Sequence, residues 1–486
     1  MPTPLRLYNS RTRQLETFEP LHGNEARVYT CGPTVYNYPH IGNMRAYVFA
    51  DTLGRVLRFK GYDLKHVINI TDVGHLTDDA DAGEDKLEKA ASERAQSIWD
   101  IARHYTEAFW ADVKALNIRE PFKWSIATDY VPAMIDFATS IADKHCYQIE
   151  SGLYFDTTTV PEYASLAGRT KQDQVEYDES AWMRIDEVTS KRHAADFAIW
   201  RTTPPGEARQ MEWDSPWGRG APGWHLECSV MSEALLGLPF DIHTGGIDHR
   251  EIHHPNEIAQ NQARCASDHS GARIWMHNNF LIDRTGKMSK SGGEFLRLQT
   301  LIDRGFHPLS YRLMCLQAHY RSELEFSWEN LLAAQVRLKR MVISVDQLKR
   351  DAPSSNPSLP SWRENWEEEF DRELGDDLST VTTLAHLDVL MSWRVQNASC
   401  VLDLLEKVDD VLGLNLLALA RADLRIRPAT ATITEADIEA RLAERKTALA
   451  AKDFATSDRI RDELAAAGVE VMDGDLLGWD WKPIIS

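Results

Sequence analysis

The stretch from residue 26 to residue 73 constrains the fold more than any other. ARVYTCGPTVY (26–36) reads as a strand running into a turn. NYPHIGNMRAYVFADTLGRVLRFKGY (37–62) carries Ala, Val, Leu and Phe at helical spacing, and DLKHVINITDV (63–73) reads as a second strand rich in Val and Ile. Strand, helix, strand is a βαβ unit, and it favours a parallel sheet.

The rest of the chain changes texture several times. Residues 84–116 are charged and helical in pattern. From 127 to 200 a helix (DYVPAMIDFATSIADKHCY) gives way to short mixed segments such as GLYFDTT and VEYDES, as expected of an insertion between two halves of a sheet domain. Strand-like pieces return at PFDIHTGG (239–246) and RIWMHNNFLI (273–282). Beyond about 305 the pattern is almost wholly helical, broken by DAPSSNPSLPSW (351–362) and RIRPATATIT (425–434). Residues 435–467 read as two helices ending at Gly468, and VEVMDGDLLGWDWKP reads as a small hairpin.

Composition adds exclusions. The N-terminus has no apolar segment of signal-peptide length, and no uncharged apolar run is long enough to span a membrane. Six Cys are scattered over the 486 residues with no CxxC, which is the usage of a cytoplasmic protein with reduced thiols. The formal net charge of −20 argues against a nucleic-acid partner, but net charge averages over surfaces that differ.

Three clusters carry chemistry. PHIGNMR (39–45) sits at a strand-to-helix junction, where free N–H groups and the positive dipole end suit a phosphate. Gly42 would allow close backbone approach, while His40 and Asn43 supply donors. The bland alternative is a capped loop. RTGKMSKSGG (284–293) places Lys287 and Lys290 three apart in a Gly- and Ser-rich loop, suited to a polyphosphate. Cys31, Cys228, His253 and Glu257 form a candidate tetrahedral Zn²⁺ set, the last two sharing a helix face at i, i+4. His225, His243, His249 and His254 compete as nitrogen ligands.

Together these strings resemble a known family. HIGN, with KMSKS about 240 residues downstream, is similar to the paired signatures of class I aminoacyl-tRNA synthetases. YTCGPTVYNYPHIGN, NITDV, DFAIW, PWGRGAPGWHLECS, DIHTGG with HHPNEIAQ, and AHYRSELEFS resemble the cysteinyl-tRNA synthetase family in particular, in that family's order. DDLST (376–380) and DFATSDRIRDEL (453–464) extend the resemblance over nearly the whole chain.

The resemblance implies an α/β fold: a Rossmann-like parallel-sheet catalytic domain split by an insertion, then an all-α anticodon-binding domain and a small C-terminal domain. The corresponding boundaries are 1–126 and 201–303 for the two catalytic halves, 127–200 for the insertion, 304–350 for a stem-contact region, 351–428 for the anticodon-binding domain and 429–486 for the C-terminal domain. It implies ATP, L-cysteine and cysteine tRNA as partners, one Zn²⁺ on Cys31, Cys228, His253 and Glu257, Mg²⁺ accompanying ATP, and a monomer. His40, Gly42, Asn43 and Lys290 would contact ATP, with Lys287 and Lys290 stabilising the transition state. Thr34, Thr71 and Trp224 are candidates for the amino acid by motif position, and Asp248 for its amine or the ribose. Zinc would answer a discrimination problem: cysteine and serine differ by one atom, and a metal prefers thiolate to hydroxyl.

Two departures stand out. Asn43 replaces the last His of HIGH, so it donates without charge, and DVGHLTD (72–78) replaces a commoner acidic string. Two rivals follow from the same residues: the cysteine ligase of mycothiol biosynthesis, which lacks a full anticodon-binding extension, and a catalytically inactive zinc-dependent RNA-binding paralogue. Residues 304–350 carry eight basic against four acidic residues, the single basic stretch in an acidic chain, and read as a path for tRNA. Trp479 and Trp481 either stack on bases or pack the C-terminal domain.

Overall fold

The computed structural model describes residues 3–73, 97–168 except 161 and 164, 190–283 except 208, 286–287, 296–352, and 360–485 except 393 and 476. The expectations for VEYDES, for 74–78 and for Lys290 lie outside these residues.

The chain opens its sheet domain with β1 (Glu25–Thr30), α1 (Ile41–Phe59), β2 (Asp63–Ile70), α2 (Ile98–Ala115), β3 (Lys123–Ile126) and α3 (Val131–His145). Four antiparallel strands follow: β4 (Cys146–Ile149), β5 (Gly152–Phe155), β6 (Phe197–Thr202) and β7 (Gly220–Pro222). The chain then returns with α4 (Trp224–Leu236), β8 (Phe240–Gly246), α5 (His253–Cys265) and β9 (Ala272–Asn278).

The main sheet has the order β9-β8-β1-β2-β3, and every pairing is parallel. Such strands are buried on both faces, which is why VYT and HVINI read as nearly continuous burial. The order reverses between β1 and β8. In a doubly wound sheet that switch point opens a crevice beyond the strands' carboxyl ends. Cys31 follows β1, Thr71 follows β2 and Asp248 follows β8, so all three enter that crevice.

A short hairpin, β10 (Leu281–Asp283) and β11 (Gly286–Lys287), leads toward α6 (Leu298–Asp303) and α7 (Pro308–Leu316). The helical part comprises α8 (Trp328–Asp351), α9 (Arg363–Gly375), α10 (Thr380–Ser392) and α11 (Arg394–Leu412). It is bolted to α1. Arg312, fully buried on α7, donates to Asp51 Oδ2 (2.6 Å) and to the carbonyls of Leu412 (2.7 Å) and Leu116 (3.0 Å). Burial opposes the Asp51 charge, yet the guanidinium groups of Arg312 and Arg55 outweigh it and hold the carboxyl below its ordinary range.

The tail folds as α12 (Glu435–Ala450), α13 (Phe454–Ala466) and an antiparallel pair, β12 (Val469–Val471) and β13 (Trp479–Trp481). Thr434 and Asp437 form a capping box at the start of α12. Trp479 and Trp481 are 0% and 2% exposed and meet edge to face at 5.3 Å, so they pack this unit's own core. Stacking on bases would require a surface that they lack.

The basic stretch is less open than its charge count implies. Arg312 is spent on Asp51, Arg321 on Asp377, Arg337 on Asp388 and Lys339 on Asp480. These acids all lie outside 304–350, so most of the local surplus is neutralised by folding. Arg340 is exposed and makes no ion pair among the described residues.

Candidate active site and metal centre

A cavity of about 530 Å³ lies at the crevice. Its wall includes Cys31, Thr34, His40, Gly42, Asn43, Thr71, Trp224, Cys228, Asp248 and His253. These residues come from six places in the sequence, and the strand ends bring them together. Glu257 sits behind the wall, fully buried one turn after His253. The backbone of Lys287 pairs with Ile282 in the β10–β11 hairpin, next to Leu281 on the cavity wall. Lys290 lies outside the described residues.

At one end of the cavity, α1 begins with a reciprocal cap. His40 Nδ1 accepts from the Asn43 N–H (3.2 Å), and Asn43 Oδ1 accepts from the His40 N–H (3.2 Å). The cap uses His40 Nδ1 and Asn43 Oδ1, and leaves His40 Nε2 and the Asn43 amide nitrogen outside it. With Nδ1 accepting, the neutral ring carries its proton on Nε2, a donor. A Cβ on Gly42 would lie 2.9 Å from the His40 ring, so this glycine makes room for the imidazole as well as for any ligand. Gly32 is stricter: a Cβ there would fall 1.5 Å from the Asn69 carbonyl oxygen.

At the other end, sulfur, imidazole and carboxylate groups converge. The ligand atoms of Cys31, Cys228, His253 and Glu257 lie within 4.8 Å of one another, and so do those of Cys31, His243, His254 and Glu257. All are buried. Glu257 Oε1 has no hydrogen-bond partner, although His253 Nε2 is 3.1 Å away. Two ligand atoms that approach without bonding each other point at a shared third centre, and this soft S, N, O set fits tetrahedral Zn²⁺.

Neighbours orient these groups. His225 Nδ1 lies 2.9 Å from His253 Nδ1, and His243 Nε2 lies 2.9 Å from Glu257 Oε2. His254 Nε2 lies 3.4 Å from Cys31 Sγ, and its Nδ1 lies 2.8 Å from His277 Nε2. Only the first tetrad has Cys228 and His253 on the cavity wall.

The electrostatics follow from this crowding. A hydrogen bond with Cys31 lowers the Cys228 thiol to about 6 against burial, while burial first, then Cys228, raises Cys31. Burial opposes charge on His253, but the neighbouring Cys228 sulfur and Glu257 carboxylate prevail and lift it to about 10. Burial likewise opposes the Glu257 charge, yet His243 and His253 bring it down to about 2.

A family model described as "tRNA synthetases class I (C) catalytic domain" matches residues 17–336, and one described as "Cysteinyl-tRNA ligase anticodon binding domain" matches residues 434–476. A cysteine–tRNA ligase of Novosphingobium aromaticivorans is 65% identical over 99% of this chain and 97% of its own. The chain belongs to the cysteine–tRNA ligase family of class I aminoacyl-tRNA synthetases. A second family member, from Zymomonas mobilis, is 50% identical over 99% of this chain and 98% of its own. In fold, the chain is similar to Mycobacterium tuberculosis methionyl-tRNA synthetase (TM-score 0.54, 14% identity), over 83% of this chain and 93% of that one. Among the described residues, no helix is long and apolar enough to cross a membrane.

Sequence reasoning missed several residues that support this cavity. Glu227 is fully buried beside Cys228 and accepts from Thr71 Oγ1. Asn69 ties Gly32 to Thr71. A buried acid cannot be told from a surface acid until the inward face of its helix is known, and α4 has almost no polar face to mark it.

Proposed function

We propose that this chain ligates L-cysteine to the 3′ end of cysteine tRNA through a cysteinyl-adenylate, and that Zn²⁺ selects the substrate by its thiolate. The observation that carries this reading is one cavity with a donor-rich helix start at one end and Cys31, Cys228 and His253 at the other. Neither half alone specifies the reaction. Phosphate donors beside a soft-metal centre describe an ATP-dependent activation of a thiol-bearing acid.

Cys31, Cys228, His253 and Glu257 would hold the metal, with His225 and His243 orienting the last two. When bound, zinc supplies a Lewis acid that favours thiolate over hydroxyl. The carboxylate of cysteine is already a nucleophile, so no general base is needed. The residues position the reactants and offset charge on the leaving pyrophosphate. His40 Nε2–H and the Asn43 amide would face the ATP phosphates, with Mg²⁺ accompanying them. Lys287 and Lys290 would close on the same phosphates from the hairpin side. Trp224, whose ring centroid is 4.4 Å from that of His253, would wall the amino-acid end. Thr34, Thr71 and Asp248 supply the remaining polar contacts. The tRNA would contact residues 304–350 and the helical and C-terminal parts beyond.

ATP–pyrophosphate exchange, run with cysteine and serine side by side with metal analysis of the same sample, tests the reading. Exchange with cysteine alone and about one zinc per chain is expected; absence of cysteine-dependent exchange refutes it and favours an inactive paralogue. Charging of cysteine tRNA, and no coupling to an aminosugar, separates it from the mycothiol ligase.

A further inference from the structure

We infer that Arg45, which does not line the cavity, is a positioning residue that holds the 278–281 wall at a fixed spacing from the His40–Asn43 helix start, and so shapes the ATP end of the site. This deepens the cysteine-activating reading and rests on it.

Arg45 lies on α1, two residues after Asn43, and is 2% exposed. Among the described residues it forms no ion pair. Its guanidinium works as a fork. Nη1 donates to the carbonyls of Asn279 (2.9 Å) and Phe280. Nη2 donates to those of Ser322 (2.6 Å) and His319 (3.5 Å). A guanidinium only donates, a peptide carbonyl only accepts, and arginine stays protonated throughout the pH range of a folded protein. These four bonds therefore depend on no titration, and they touch no candidate metal ligand.

The two tines hold two separate turns. Asn278, Asn279, Phe280 and Leu281 line the cavity. Residues 319–322 back that wall: the Asn279 N–H donates to the Tyr320 carbonyl (2.8 Å), Asn279 Nδ2 donates to the Arg321 carbonyl (3.0 Å), and Leu281 pairs with Leu324. Wall and backing are one body, and Arg45 bolts it to α1. The same helix carries Gly42 and Asn43, with His40 as its cap. A Cβ on Gly42 would lie 3.8 Å from Leu281 Cβ, so the helix start and the wall meet at van der Waals distance. A buried cation without a carboxylate is costly, and packing alone would be served better by Met or Leu. A planar fork reaches both turns at once; a lysine nitrogen reaches one.

The metal end is built otherwise. Cys31 follows β1, Cys228 lies on α4, and His253 and Glu257 lie on α5. None of them lies on α1 or in the two turns. Loss of the fork should therefore split the two substrates of the activation step.

Arg45→Lys keeps the buried charge and fills one turn only. With active sites counted by the burst of adenylate formation, so that unfolded protein does not enter the rates, its kcat/KM for ATP in pyrophosphate exchange should fall about 10²-fold, as for reacting groups displaced by about 1 Å. The Kd of cysteine, measured by calorimetry without ATP, and the zinc content should stay within about twofold of wild type, because the lost interaction acts on ATP alone. Arg45→Gln, without the charge, should show the same split. Equal weakening of both substrates overturns the inference. So does an unchanged kcat/KM per active site with only a lower melting temperature, or failure of both variants to fold, since Arg45 would then serve stability alone. Wild-type protein without cysteine-dependent exchange would refute the parent reading; normal wild-type exchange, with no split in the variants, would refute this inference alone.

Discussion

Lys339 Nζ lies 2.5 Å from Asp480 Oδ2, joining the long helix α8 to the last strand of the chain. Arg421 shares that oxygen at 2.6 Å, and the Asp480 side chain is 2% exposed. Asp480→Asn would leave Lys339 facing a neutral amide in a nearly dry site, and Arg421 with only Asp475, 3.4 Å away. Breaking one partner of a buried ion pair costs about 3–5 kcal/mol. Chemical denaturation should show a loss of that order, and an unchanged midpoint would contradict the assignment.

Because Lys339 is committed to Asp480, Arg340 is the stronger candidate for tRNA backbone contact. Arg340→Ala should reduce the slope of log affinity against log salt by about one, the effect of one lost phosphate contact. Lys339→Ala should leave the slope nearly unchanged while lowering stability. Filter binding over a salt series decides between them, and equal slopes for Arg340→Ala and wild type would count against the contact.

Cys228→Ser removes a thiolate that borders both the metal centre and the cavity. Metal affinity should fall by more than the roughly 10–100-fold expected for an outer neighbour. Cysteine affinity should fall with it, and ATP binding should persist. Zinc titration and isothermal calorimetry measure the three quantities; retained zinc and cysteine binding would show the ligand set to be wrong.

Lys290→Ala should slow adenylate formation by about 10²–10³-fold, the scale of one lost charge-stabilising donor. The cysteine KM should change little. Single-turnover kinetics read both values, and proportional effects on the two would contradict a transition-state role.

His66 is buried on β2 with Nε2 2.8 Å from Thr30 Oγ1, and burial pushes its pKa down to about 4. Burial brings His307 to about 4 as well. An unfolded imidazole titrates near 6.5. Between about pH 6.5 and 4 the unfolded chain takes up protons that the folded chain refuses, so stability falls as pH falls and is intact above that range. Each histidine adds a slope of about 1.4 kcal/mol per pH unit. Urea denaturation across this window should show the decline, and His66→Gln should flatten it by one proton.

Local rules made much of this chain legible. The βαβ unit, the capped helix at His40–Asn43, the i, i+4 pair His253–Glu257 and the two terminal helices all rest on periodicities and caps spanning a few residues. The sequence also held the family signatures, which are strings, and strings survive without coordinates. Only the tertiary structure decided which charges are spent. Arg312, Arg337 and Lys339 look alike in sequence, yet one is buried on Asp51, one pairs at the surface with Asp388, and one docks the tail through Asp480. Likewise, nothing local distinguishes Glu227 from a solvated acid, or Trp479 and Trp481 from exposed stacking platforms. Burial and pairing are set by partners distant in sequence, 51 residues away for Arg337 and 261 for Arg312, and the free energy of a charge depends on that surrounding rather than on its neighbours in sequence.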